Sequence, residues 1–140
     1  METSRKSGLE NTLLWWTVAN VCLGLSMLLS APLEILGAGA AAFLPLAIAL
    51  PFTFWLVWRL FSPNRQILLF GSLFWALQVI TITVPDGIYS FRLGLTIDFR
   101  LMDGPSYAVS VNLIAVLTAL AFLVASHERL RWQENASEVP

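Results

Sequence analysis

The charged residues of this 140-residue chain are clustered, and the clusters leave four long uncharged segments between them. These segments cover residues 11–33, 35–58, 66–85 and 104–127, and each is at least 20 residues long. A helix of about 20 mostly apolar residues crosses the hydrocarbon core of a bilayer. Each segment is therefore long enough for one membrane-spanning helix.

Composition favours the same class of protein. Apolar residues make up 57% of the chain and charged residues 12%, against about 25% charged residues in soluble domains. An intrinsically disordered chain needs low hydrophobicity and high charge, which is the opposite balance. The net charge of −1 gives no basic surplus, so we expect no nucleic-acid partner.

These observations predict an all-α membrane protein, an antiparallel bundle of four transmembrane helices that forms a single integral membrane domain over residues 1–140. The predicted spans are 12–31, 38–61, 66–84 and 107–126, with an outer loop at 85–106 and tails at 1–11 and 127–140. With the N-terminus inside, six of the eight Lys and Arg residues lie on the cytoplasmic side. This distribution predicts the plasma (cell inner) membrane with both termini cytoplasmic.

The predicted outer loop carries a pattern of its own. Apolar and non-apolar residues alternate strictly, which is typical of a strand and predicts a short strand or hairpin. The apolar members are Phe91, Leu93, Leu95, Ile97, Phe99 and Leu101. Because an isolated two-stranded unit is marginal in water, we expect this apolar face to lie on the helix ends, the lipid interface or a partner. Edge pairing makes the segment a candidate partner-docking strand.

Three amide side chains fall inside the predicted spans: Asn20, Gln78 and Asn112. Amides facing lipid are costly, so we expect them to point into the bundle. There they either line a polar path for a small neutral solute or form interhelical hydrogen bonds. Pro45 and Pro51 each remove one helical hydrogen bond from the second span, which predicts either a hinge or a static bend.

The residue types needed for catalysis or metal binding are scarce. Cys22 and His127 are the single cysteine and histidine, so no multi-cysteine or bis-histidine site can form within one chain. We expect no catalytic, cofactor-binding or metal residues and no cofactor, and the balance is against an enzyme. The leading hypothesis is a non-catalytic accessory or assembly subunit of a membrane complex, or a homo-oligomer. Its expected partners are the lipid bilayer and either copies of itself or another membrane protein. The alternative is a small transporter or channel for a neutral or small solute.

Overall fold

The computed structural model describes residues 7–30, 40–84, 87–89, 95–104 and 107–137. Within these ranges the chain forms four helices and a four-stranded antiparallel sheet. The helices are α1 (Gly8–Ser30), α2 (Ala40–Leu60), α3 (Arg65–Ala76) and α4 (Leu113–Ser137). The strands are β1 (Ile80–Val84), β2 (Gly87–Tyr89), β3 (Asp98–Asp103) and β4 (Ala108–Asn112).

The prediction of an all-α bundle with four membrane spans is wrong. The predicted span 66–84 is divided, because α3 ends at Ala76 and β1 begins at Ile80. The predicted span 107–126 begins with a strand, and its helix starts only at Leu113. Among the described residues, one helix is long and apolar enough to cross a membrane, over Leu113–Asn135. The chain is a small α/β domain.

The physical reason for this correction is side-chain alternation. The β1 sequence is ITITV and the β4 sequence is AVSVN, so apolar residues alternate with small polar ones in both. A β-branched residue fits a pleated strand better than a helix, and successive strand side chains point to opposite faces. Counting uncharged residues does not detect this alternation, because Thr, Ser and Asn carry no charge.

The helix starts are fixed by side chains that satisfy free backbone amides. Ser7 and Glu10 form a capping box: the Ser7 amide donates to Glu10 Oε2 (3.0 Å), and the Glu10 amide donates to Ser7 Oγ (3.1 Å). Asn64 caps α3, since its Oδ1 accepts from the Ile67 amide at 2.9 Å. Both caps place a defined chain turn directly before a helix.

The sheet continues the two helices that pack most closely. Its strand order is β2-β1-β4-β3, and every neighbouring pair is antiparallel. The α3–β1 segment and the β4–α4 segment run antiparallel along their whole length. Three hydrogen bonds connect the two segments at successive positions along them. Arg129 donates to the Pro63 carbonyl, the Ser72 hydroxyl to the Ala119 carbonyl, and the Asn112 amide to the Val79 carbonyl. The sheet therefore lies at one end of the helical layer and Arg129 at the other.

Small residues allow α3 and α4 to approach each other. A Cβ at Gly71 would lie 2.5 Å from Cε1 of Phe122, a ring that is fully buried. One turn towards the sheet, Trp75 is buried in the same apolar core as Ala115 and Ala119 of α4. The small residues Ala115 and Ala119 of α4 are thus buried inside the chain.

Candidate functional site

The three amides predicted from the sequence are all fully buried near the junction of helices and sheet. Gln78 directly precedes Val79, whose carbonyl accepts from the Asn112 amide at 2.7 Å. Asn20 reaches the segment before β3, because its Oδ1 accepts from the Leu95 amide at 3.0 Å. The fold therefore brings residues from α1, the end of α3 and β4 to the same region.

Asn112 is the last residue of β4 and also the N-cap of α4. Its Oδ1 accepts from the backbone amides of Ile114 (3.1 Å) and Ala115 (3.3 Å). These are the second and third residues of the helix, whose amides have no partner within it. This side chain allows the chain to change from strand to helix without a loop.

Asn20 ties α1 to the rest of the fold. Its Nδ2 donates to the Trp16 carbonyl at 2.9 Å while its Oδ1 holds the Leu95 amide. One turn earlier, Trp16 Nε1 donates to Thr118 Oγ1 of α4 at 3.1 Å. These contacts give Asn20 a structural role that does not depend on the passage of a solute.

Two buried donors at this junction have hydrogen-bonding capacity that the described residues do not use. They are Trp75 Nε1 and Asn112 Nδ2. A buried donor without an acceptor costs about 1–3 kcal/mol. The junction is therefore a polar interior rather than a purely apolar core.

Pro45 and Pro51 both lie within α2, and Pro51 is exposed. A hinge at these prolines stays a prediction.

Part of the predicted docking strand lies in β3. Phe99 and Leu101 belong to β3, Leu95 and Ile97 precede it, and all four are exposed. Phe91 and Leu93 lie outside the described residues. The predicted alternation is interrupted, because the register shifts between Arg100, opposite Ser110, and Met102, opposite Val109.

The sheet as a whole has two unlike faces, which the sequence reading missed. Residues directly opposite each other in antiparallel strands share a face. One face carries Thr81, Ser110 and Asn112, all buried. The other carries two apolar rows. We call this surface the apolar sheet face; its members are Ile80, Val111 and Phe99 in one row and Ile82, Val109 and Met102 in the next.

The apolar sheet face is open to the surroundings. Ile80 is 58% exposed, Ile82 43%, Phe99 61% and Met102 54%, whereas Val109 and Val111 are half-buried. A sheet in a water-soluble domain turns its apolar face to the core and its polar face to water. Here the orientation is reversed. The alternation of residues 80–84 and 108–112 was the sequence signal for a sheet with two unlike faces.

A buried ion pair lies at the opposite end of the helical layer. Arg129 Nη1 is 3.4 Å from Glu10 Oε2, and Glu10 is 2% exposed. The second guanidinium nitrogen donates to the Pro63 carbonyl at 2.9 Å. Arg129 thereby joins the start of α1, the turn before α3 and α4. The Ser7-x-x-Glu10 spacing is the sequence signal for the Glu10 half of this site.

An open apolar groove of about 300 Å³ lies between α2 and α3. Aromatic rings build it: Phe52 stacks against Phe74 at 4.9 Å between centroids, and Trp55 meets Phe70 edge-on at 6.3 Å. Its walls are apolar throughout, and they include Ile48, Phe52, Phe70, Leu73 and Leu77. Such a groove accepts an apolar segment rather than a polar solute.

The described residues contain no group of three or more His, Cys, Asp or Glu side chains placed to hold a metal ion. No family model matches the chain, and neither the curated proteins nor the solved structures include a significant match.

Proposed function

We propose that the protein is a non-catalytic accessory or assembly subunit that is held in a membrane through α4 and associates laterally with copies of itself or with another membrane protein. One observation carries the proposal: many polar side chains are buried beside the apolar core while large apolar side chains cover the outside. The buried polar residues include Thr17, Asn20, Thr53, Ser72, Gln78, Thr81, Ser110, Asn112 and Thr118.

The exposed apolar residues are too numerous for an ordinary water-facing surface. Among the residues that the structure describes, twenty-six large hydrophobic side chains are exposed, and they occur on all four helices. Monomeric soluble proteins rarely expose apolar patches larger than a few hundred Å². A lipid surrounding favours the arrangement seen here, with polar groups turned inward and apolar groups outward.

Helix α4 supports the membrane assignment most directly. Only 33% of its most apolar stretch is buried, so it does not have the surroundings of a core helix in a soluble protein. Leu113, Leu117, Leu120 and Val124 are exposed at i, i+4, i+7 and i+11, which places them along one side of the helix. This stripe is the surface we propose to contact lipid.

The orientation follows from where the cations lie. Arg129 contacts the start of α1 and the turn before α3, so these parts share one end of the molecule. Arg59, Arg65 and Arg131 belong to the same end, since they flank that turn or follow Arg129 in α4. Because Lys and Arg are enriched on the cytoplasmic side, we propose that this end, with both termini, faces the cytoplasm of a plasma (inner) membrane.

The groove between α2 and α3 is the concave apolar surface on which lateral association fits best. Strand addition at β3 fits less well, because the register shift at Leu101 interrupts the edge that a partner strand would need. The transporter alternative has no comparable support, since the side-chain oxygens of Asn20 and Asn112 already bind backbone amides of this chain.

The test is purification of the full chain from membranes into nanodiscs, followed by native mass spectrometry. We expect the protein to resist alkaline extraction and to give a defined oligomer or a stoichiometric complex. The double variant Phe70→Ala/Leu73→Ala should weaken that assembly, whereas Trp132→Ala, an exposed residue on α4 outside the groove, should not. Recovery as a monomer in the soluble fraction would contradict the proposal.

A further inference from the structure

The apolar sheet face has two candidate surroundings, water and lipid, and its position along α4 decides between them. From Leu113, where α4 begins beside the sheet, Arg129 at the other end is 16 residue steps away. At 1.5 Å per residue this distance is about 24 Å. The hydrocarbon core of a bilayer is about 30 Å thick. If the core begins at the level of Arg129, it extends beyond the start of α4.

The sheet lies where the hydrocarbon core extends beyond the start of α4. The remaining distance of about 6 Å corresponds to about two strand residues at 3.3 Å each. Two strand residues before Leu113 reach Val111 and with it the row of Ile80, Val111 and Phe99, whereas the row of Ile82, Val109 and Met102 lies two residues further from α4. The row of Ile80, Val111 and Phe99 thus falls at the boundary of the hydrocarbon, and the row of Ile82, Val109 and Met102 lies about 7 Å beyond it.

We propose that the row of Ile80, Val111 and Phe99 on the apolar sheet face lies against lipid acyl chains at the membrane boundary, so that the sheet extends the lipid-contacting surface of α4. This inference rests on the proposed function. It accounts for the reversed orientation of the sheet: Thr81, Ser110 and Asn112 are turned into the protein because the opposite face meets lipid.

The backbone pairing at the centre of the sheet agrees with the condition that lipid imposes. Within hydrocarbon every backbone amide and carbonyl needs a partner, because no water is available. Strand β4, which carries Val109 and Val111, has a neighbour on both sides along its length, and β1 pairs with β4 from Ile80 to Thr83 and with β2 from Ile82 to Val84. The charged residues Asp98 and Arg100 of β3 lie opposite Asn112 and Ser110, on the other face of the sheet.

Exposed apolar side chains also continue from helix to strand along the α3–β1 segment and along the β4–α4 segment. On the first segment Leu73 and Leu77 precede Ile80, and on the second Val111 precedes Leu113 and Leu117. A docking face for a soluble partner would be bounded by polar residues at its rim. Among the described residues, no exposed polar side chain lies between Leu77 and Ile80 or between Val111 and Leu117, which favours lipid as the occupant.

The test uses nitroxide labels on the full chain in phospholipid nanodiscs, read by electron paramagnetic resonance with O₂ and a water-soluble nickel complex as relaxing agents. Cys22 is replaced by Ser, and single cysteines are introduced as Ile80→Cys, Phe99→Cys, Leu120→Cys and Gln133→Cys. Leu120→Cys reports the proposed lipid surface of α4, and Gln133→Cys reports water. Ile80 and Phe99 belong to the same row, so either variant serves if the other does not fold.

We expect labels at Ile80 and Phe99 to match the label at Leu120, with high O₂ and low nickel accessibility. Lipid exposure at Leu120 together with water exposure at Ile80 and Phe99 would overturn the inference and leave the proposed function standing. Low accessibility to both agents at the sheet would overturn it in favour of a covering protein, such as a second copy. Water exposure at Leu120 would overturn the proposed function itself.

Discussion

Arg129 is the residue on which three distant parts of the chain depend. Its guanidinium reaches Glu10 at 3.4 Å and the Pro63 carbonyl at 2.9 Å. Arg is suited to this place because its rigid planar guanidinium offers a separate nitrogen to each partner, whereas Lys has one compact ammonium on a flexible stem. Glu10 in turn caps α1 through the Ser7 amide.

We therefore expect Arg129→Met to destabilise the protein by about 3 kcal/mol, because it leaves the buried Glu10 carboxylate without its cation. Arg129→Lys should lose less, since the charge is kept. The measurement is the free energy of unfolding in a mild detergent, followed by circular dichroism. Arg131→Met is the matched control, because Arg131 is exposed two residues further along α4. Equal losses from Arg129→Met and Arg131→Met would show that the ion pair contributes nothing.

Asn112 gives a second prediction at this scale. Asn112→Ala removes the oxygen that accepts from the Ile114 and Ala115 amides, and such a cap loss costs about 1–2 kcal/mol. Asn112→Ser keeps a capping oxygen and should recover most of the stability. Unfolding of the two variants under identical detergent conditions measures the difference. If Asn112→Ser is as unstable as Asn112→Ala, the cap is not the reason for the loss.

At the scale of elements, the helices were easier to predict than the strands. The predicted segments 12–31 and 38–61 overlap α1 and α2, because both are continuous apolar stretches bounded by charged residues. The strands β1 and β4 were missed, since their Thr, Ser and Asn residues are uncharged and do not interrupt an apolar segment. Burial of the amides was expected from their cost in lipid, but the pairing of Asn20 with Leu95 depends on tertiary structure and has no local signal.

The contact between α3 and α4 can be tested at Gly71. An added Cβ would lie 2.5 Å from Phe122 Cε1 and 2.6 Å from Cδ1, so Gly71→Ala must displace a buried ring. Overpacking of this kind costs about 1–3 kcal/mol. The double variant Gly71→Ala/Phe122→Leu should lose less stability than the sum of the two single variants, because the smaller side chain makes room. Additive losses would mean that the two residues do not contact each other. Gly8→Ala is the control, since nothing lies within 4 Å of a Cβ there.

At the scale of the whole molecule, the distribution of polarity distinguishes a membrane protein from a soluble one. Leu120 is 52% exposed near the middle of the α4 stretch between the sheet and Arg129. If α4 lies in a bilayer, Leu120→Arg places a charge in hydrocarbon, which costs about 2.5–3.5 kcal/mol in membrane insertion. If α4 faces water, the same change adds a solvated charge to an exposed site and has little effect on stability.

The two surroundings therefore give opposite results for one substitution. We expect Leu120→Arg to lower the fraction of protein that resists alkaline extraction from membranes, measured by immunoblotting of the pellet and supernatant. Gln133→Arg, at an exposed position near the end of α4, should leave that fraction unchanged. A Leu120→Arg protein that stays fully in the membrane would contradict lipid contact at this stripe. A Leu120→Arg protein that becomes more soluble and keeps its fold would assign the apolar surface to a protein partner in water instead.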